Sequence, residues 1–170
     1  SNSIDNLIGI DIVITEKLDG ENCGMTNDGV YARSHATFTT SAWSREVRQI
    51  HDIKVRGQLE DNVYLFGENM EGIHSIEYSN LKSYFNLFGV RDNNIWIPWQ
   101  SVEEYAYLLD LELAPVLFKG KVNSEKEETS VKERLEARGL KNLGTIYNDD
   151  QISLNNFVGT QISDCHKAHE

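Results

Sequence analysis

Thr15-Glu16-Lys17-Leu18-Asp19-Gly20-Glu21-Asn22 follows directly on an apolar, β-branched run, Ile8-Gly9-Ile10-Asp11-Ile12-Val13-Ile14. The run is short, rich in Val and Ile, and bounded by Gly20, which predicts a strand. A lysine at a strand end, with Asp two residues on and then Gly, is an unusual group to pack. Its amine is a nucleophile only when neutral, which requires desolvation or nearby cations to lower its pKa. Asp19-Gly20 lets the chain turn sharply and brings the backbone close to a ligand. A plain strand ending in a charged hairpin has the same residues, so the neighbouring segments decide between the two readings.

Downstream, the apolar stretches 23–25 and 30–32 flank Thr26-Asn27-Asp28-Gly29, a strong hairpin signal. Its second arm runs into Arg33-Ser34-His35, so Arg33 also stands at a strand end. Residues 41–53 predict a helix, with Trp43, Val47 and Ile50 at a 3–4 residue spacing and Ser41 as N-cap. Residues 62–69 predict a buried strand ending in Gly67-Glu68-Asn69, and 83–91 an aromatic strand closed by Asp92-Asn93-Asn94. A short turn is expected over 79–82. A further short strand, 95–99, is marked at its end or edge by Pro98. Ser101 with Glu104 forms a capping box for a helix over 101–110. A strand is expected over 115–120, a charged helix over 124–138 ended by Gly139, and a last strand near 144–147. Single helices alternating with hairpin strands favour an α+β fold with antiparallel sheets over a doubly wound parallel one.

The 170 residues carry a net charge of −11, which argues against a surface that coats nucleic acid generally, though a local basic groove is compatible with it. The basic residues Arg45, Arg48, Lys54 and Arg56 lie within one stretch. Cys23 and Cys165 are far apart and have no metal-ligand spacing, which points to inert thiols in a reducing, cytoplasmic compartment. No apolar run approaches the roughly 20 residues that span a bilayer, and no signal-peptide core is present. The five histidines form no metal spacing, and both the P-loop and the serine nucleophile elbow are missing.

Lys17-x-Asp19-Gly20-x-Asn22, Arg33-Ser34, Gly67-Glu68-Asn69 and the aromatic strand around Phe85 each have an ordinary explanation; together and in this order they do not. The chain resembles the covalent nucleotidyltransferases, the superfamily of RNA ligases, DNA ligases and mRNA capping enzymes, and most closely their RNA-ligase-like branch. Motif I matches 15–22 and motif Ia matches 31–35. Motif III and its extension match 66–69 and 74–78, and motif IIIa matches 83–90. Residues 115–120 are similar to a strand that follows in these proteins. The resemblance implies one adenylylation domain over 1–170, with antiparallel sheets flanking a nucleotide cleft and the helices from Ser41, Ser101 and Ser124 outside. It implies ATP and Mg2+ as cofactors, and nucleic-acid ends, RNA rather than DNA, as partner, with no membrane.

In that scheme Lys17 attacks the α-phosphate of ATP and expels pyrophosphate. The AMP then passes to a 5′-phosphate, from which a 3′-hydroxyl displaces it. In-line transfer of this kind needs positioning and charge neutralisation more than proton chemistry. The resemblance puts Asp19, Gly20 and the backbone of Glu16 in the nucleotide pocket, with Glu16 at the adenine edge. It puts Asn22 and Arg33 at the ribose and phosphate, Glu68 at a ribose hydroxyl or the metal environment, and Phe85 against the purine. No residue is assigned as a direct metal ligand. The chain departs from the family near its end: Leu143 stands where motif IV has a glutamate, and no Lys-x-Lys pair stands where motif V has one. Residues 140–170 are therefore incomplete or divergent by the family pattern. A catalytically impaired module that binds nucleotide or RNA ends on the same scaffold is the alternative.

Overall fold

A computed structural model describes residues 9, 11–16, 18–34, 36–72, 81–121, 123–127, 129–130, 133 and 146–148. Lys17, His35, the 74–78 extension, Leu143 and the stretch from 149 onward lie outside the described residues, as does the first half of the turn expected over 79–82. Two sheets carry the fold. The smaller is β8-β1-β9, with β1 (Asp11–Thr15) antiparallel to both β8 (Val116–Lys121) and β9 (Ile146–Asn148). As the central strand, β1 buries Ile12, Val13 and Ile14 alike, which explains its continuous apolar run.

The larger sheet has the order β3-β2-β4-β5-β6, built from β2 (Glu21–Met25), β3 (Val30–Tyr31), β4 (Val63–Asn69), β5 (Phe85–Asp92) and β6 (Ile95–Trp96). These pairs are antiparallel; β7 (Glu112–Leu113) adds a short parallel pairing to β5. The β2–β3 turn closes through Thr26 N–H to the Gly29 carbonyl at 3.0 Å. Gly29 has no room for a side chain, since a Cβ there would lie 2.6 Å from the Phe38 ring. The β5–β6 turn places Asn93 and Asn94 at φ 54° and 65°, the left-handed region that a two-residue hairpin needs and asparagine tolerates.

The expected helix over 41–53 is instead composite. Ala42–Ser44 forms a 3-10 turn, Arg45–Ile50 is helix α1, and His51–Val55 is a π turn. Ser41 does cap it, its hydroxyl accepting from Trp43 N–H at 3.1 Å. The apolar stripe breaks because the 3-10 turn winds tighter than an α-helix: Val47 is buried while Trp43 is 66% exposed. Helix α2 (Trp99–Leu109) starts three residues earlier than the capping box implies. Trp99 is buried, and the Pro98 carbonyl accepts from Ser101 N–H and Val102 N–H, so Ser101 falls inside the first turn. The α2 stripe Trp99, Val102, Ala106 and Leu109 enters the core with Val47 and Val55. Asp110 ends the helix at φ 56°. Beyond β8, 125–127 and 129–130 are helical. No helix among the described residues is long and apolar enough to cross a membrane.

Gly67 faces Phe85: a Cβ at that position would lie 2.5 Å from the ring and 2.7 Å from the Asn86 carbonyl. Gly67→Ala should therefore destabilise the fold by about 1–3 kcal/mol in urea denaturation, and an unchanged midpoint would contradict this packing. Burial raises the Cys23 thiol, with Glu68 and Glu21 adding to the shift, and it raises the phenols of Tyr64 and Tyr105 as well. Each of these groups ionises more readily in the unfolded chain. The stability they contribute is complete below the ordinary values of 9.0 and 10.0 and falls as pH rises through and beyond them. A melting temperature that is flat from pH 8 to 11 would contradict it.

Candidate functional site

The site is built where β2 meets β4. Their register sets Asn22 opposite Glu68, and the β4–β5 register sets Glu68 opposite Asn86, so the three side chains form one row across three strands. All three are buried, at 1%, 3% and 5% exposure. Thr15, Asp19 and Asn69 are also buried polar residues, grouped at the ends of β1 and β4 and in the turn into β2. Polar groups are not buried without partners or purpose, since desolvating each costs free energy. Such a concentration at strand ends is the signature of a ligand site.

The turn into β2 is latched onto β4. Gly20 N–H donates to Glu68 Oε1 at 3.1 Å. A Cβ at Gly20 would lie 2.5 Å from the Asn69 carbonyl and 2.7 Å from Met70 Sδ, so only glycine allows this approach. Asn69 extends the network: its amide donates to the Trp43 carbonyl at 3.0 Å, and its Oδ1 accepts from Glu71 N–H at 3.0 Å. Glu71 Oε2 in turn accepts from Glu46 N–H at 3.1 Å, which ties the first turn of α1 to the same corner. On the other side, Glu16 N–H donates to the Pro115 carbonyl at 2.8 Å, next to a register shift between Ile14 and Thr15. The small sheet is thereby joined to the chain that enters the turn. Lys17 lies outside the described residues, while Leu18 and Asp19 after it are buried.

The structure brings Asp19, Gly20, Asn22 and Glu68 to one corner. Arg33 occupies an exposed turn beyond β3, with no ion pair or hydrogen bond to another described residue. Phe85 is fully buried over Gly67 and shares the core face with Leu87, opposite to the face of Glu68. The β4–β5 pairing slips between Phe66 and Gly67, so Phe66 faces Gly89 and Gly67 faces Leu87, leaving Phe88, the second buried ring of this strand, as the extra, bulged residue. Within β4, Phe66 shares the face of Glu68. Asn86, which the sequence did not single out, donates from its amide to the Ser83 carbonyl at 3.1 Å.

Among the described residues no group of three His, Cys, Asp or Glu side chains could hold a metal ion. Among the described residues the corner brings together a buried carboxylate, two amides and a close-packed glycine turn.

The fold is shared with known structures. A Naegleria gruberi RNA ligase with PPi superposes with a TM-score of 0.60 at 20% identity, over 87% of this chain and 49% of that one. An archaeal ATP-dependent RNA ligase gives 0.62 at 12% identity, over 89% of this chain and 43% of that one. A mutant of the Naegleria gruberi RNA ligase with ATP and Mn gives 0.54 at 19% identity, over 87% and 48%. The chain therefore spans just under half the length of these ligases. No curated protein matches it by sequence. The family model described as RNA ligase matches residues 10–151, most of the chain, and on that match the chain belongs to the RNA ligase family.

Proposed function

We propose that this chain is the adenylyl-transfer part of an ATP-dependent RNA ligase. The observation that carries the reading is the latch of the Lys17-x-Asp19-Gly20 turn onto Glu68, with Asn22 opposite that carboxylate. This is a preorganised polar corner two residues in sequence from the candidate nucleophile, and in-line phosphoryl transfer depends on such preorganisation. Lys17 Nζ, in its neutral form, attacks the α-phosphorus of ATP; the bond to the bridging oxygen breaks and pyrophosphate leaves. The AMP passes from Lys17 to a 5′-phosphate on RNA, and a 3′-hydroxyl then displaces AMP to seal the strand.

Glu68, anchored through Oε1 on Gly20 N–H, directs its carboxylate at a ribose hydroxyl. Asn22 and Arg33 serve the ribose and phosphate side, and Asp19 shapes the turn. The Glu16 amide is held by Pro115, so any contact of its backbone with the adenine edge falls to its carbonyl. Phe88, the bulged residue of the β4–β5 pairing, is a second candidate ring for the purine face beside Phe85, which packs against Gly67. A divalent ion, magnesium in this reading, would come with the phosphates and neutralise their charge. Leu143 in place of the expected glutamate favours a second reading, in which the pocket binds nucleotide or RNA ends without completing transfer.

Incubation with ATP labelled at the α-phosphate and magnesium should label the chain covalently, and Lys17→Ala should abolish the label. Glu68→Gln should slow labelling about 10- to 100-fold, as loss of a hydrogen bond to a charged group does. ATP binding without pyrophosphate release would instead establish the binding module. Equal labelling of wild type and Lys17→Ala would remove the catalytic assignment.

A further inference from the structure

At the far end of β2 from Gly20, the hairpin turn, the segment after it and the outer side of α1 enclose a pocket of about 220 Å³. Its walls include the turn residues Gly29 and Val30, the ring of Phe38, and the side chains of Arg48, His51, Asp52 and Arg56. The His51–Val55 segment is a π turn, a rare geometry that is frequent at functional sites.

The charges in the pocket are unevenly committed. Asp52 is engaged by Arg56, which donates to Oδ1 from Nε at 3.0 Å and from its terminal nitrogen at 2.8 Å. Arg56 also donates to the Asp28 carbonyl at 3.2 Å. His51 is buried, and its Nε2 donates to the Thr26 carbonyl at 2.7 Å. Arg48, in contrast, is half-buried and makes no hydrogen bond or ion pair among the described residues. Asp28 is the other carboxylate on the wall, and it is exposed at the turn. One guanidinium is thus left uncompensated in a concave setting, on a chain whose net charge is −11.

The ring at the lip is equally specific. Phe38 is 49% exposed and leans on Tyr31, with ring centres 4.7 Å apart. From there an aromatic row crosses the large sheet through Tyr64, Phe66 and Trp96, with Arg91 lying over the last three rings. The row fixes the tilt of Phe38 from behind and leaves its outer part open. A flat apolar surface beside a single uncompensated guanidinium fits a nucleotide unit, with the base on the ring and the phosphodiester on the cation. A free dianionic phosphate fits less well, since Asp28 and Asp52 lie on the same walls.

We infer that this pocket holds one nucleotide of the single-stranded RNA substrate, its phosphodiester on Arg48 and its base against Phe38. The inference rests on the RNA-ligase reading above. β2 separates the pocket from the Gly20 corner by roughly 17 Å, five residues of extended chain. The pocket would therefore grip the strand at a position set back from the joined end, adding affinity without touching the reacting atoms.

The test is fluorescence anisotropy of a labelled single-stranded RNA 12-mer at several salt concentrations, alongside covalent AMP labelling of the same proteins. Arg48→Gln should weaken RNA binding about ten-fold and lower the salt slope by about 0.7. Phe38→Leu, which keeps an apolar contact with Gly29, should weaken binding about five-fold. Arg45→Gln is the control, removing an exposed charge from the same helix outside the pocket, and should match wild type in slope. AMP labelling should be unchanged in all three. The inference is overturned if Arg48→Gln and Arg45→Gln weaken RNA binding equally, or if wild type labels with AMP yet binds no RNA. Arg48-dependent RNA binding without AMP labelling would leave the pocket standing and remove the catalytic reading instead.

Discussion

The pairing of β2 with β4 is the constraint on which the rest of this structure depends. It places Asn22 beside Glu68 and lets the Gly20 amide reach the Glu68 carboxylate. Side chains alternate faces along a strand, so a slip of one residue would send both groups into the apolar core. The slip is opposed from both sides. Cys23 and Met25 are buried on the opposite face to Asn22, and Gly24 on the same face as Asn22 is covered by the Tyr64 ring. The polar corner therefore owes its geometry to apolar packing a few ångströms away.

The other end of β2 is held just as firmly. His51 donates to the Thr26 carbonyl, Asn27 accepts from Leu59 N–H at 3.1 Å, and Arg56 reaches the Asp28 carbonyl. All three contacts come from the helical segment and the turn after it. Through Glu71 and Asn69 the same segment is also tied, at its start, to the Glu68 corner. One composite helix thus braces β2 at both ends. That gives a physical reason for its irregularity: a regular α-helix would present its side chains at one pitch, whereas a 3-10 start and a π finish let the two ends meet different partners.

The smaller sheet has a different part. β1 delivers the chain to the motif turn, and its partner β8 is separated from it by most of the described sequence. The Pro115 carbonyl holds the Glu16 amide just past the last pair of that ladder. The approach of the lysine segment is thus set by a strand about 100 residues downstream, a long-range pairing with no local signature.

Local chemistry made much of this legible in the sequence. The hairpin at Asp28-Gly29, the β1 run, the buried strand ending in Gly67-Glu68-Asn69, the strand around Phe85, and the α+β class all follow from turn residues and apolar periodicity, which act over a few residues. The glycine of the Asp19-Gly20 turn was legible for the same reason. Which side of the sheet each group faces, and what it meets there, depended on contacts between distant segments. Phe85 and Phe88 look alike in sequence, and only the β4–β5 register shows that Phe85 is paired opposite Asn69 while Phe88 is the bulged residue. Trp43 has helical spacing, yet a tight first turn rotates it into solvent. Arg48 is one arginine in a basic stretch until the hairpin turn and Phe38 close a pocket around it. Propensity and pattern specify a residue's own backbone; register, bulges and cross-strand packing are settled by partners distant in the chain, and those set the site.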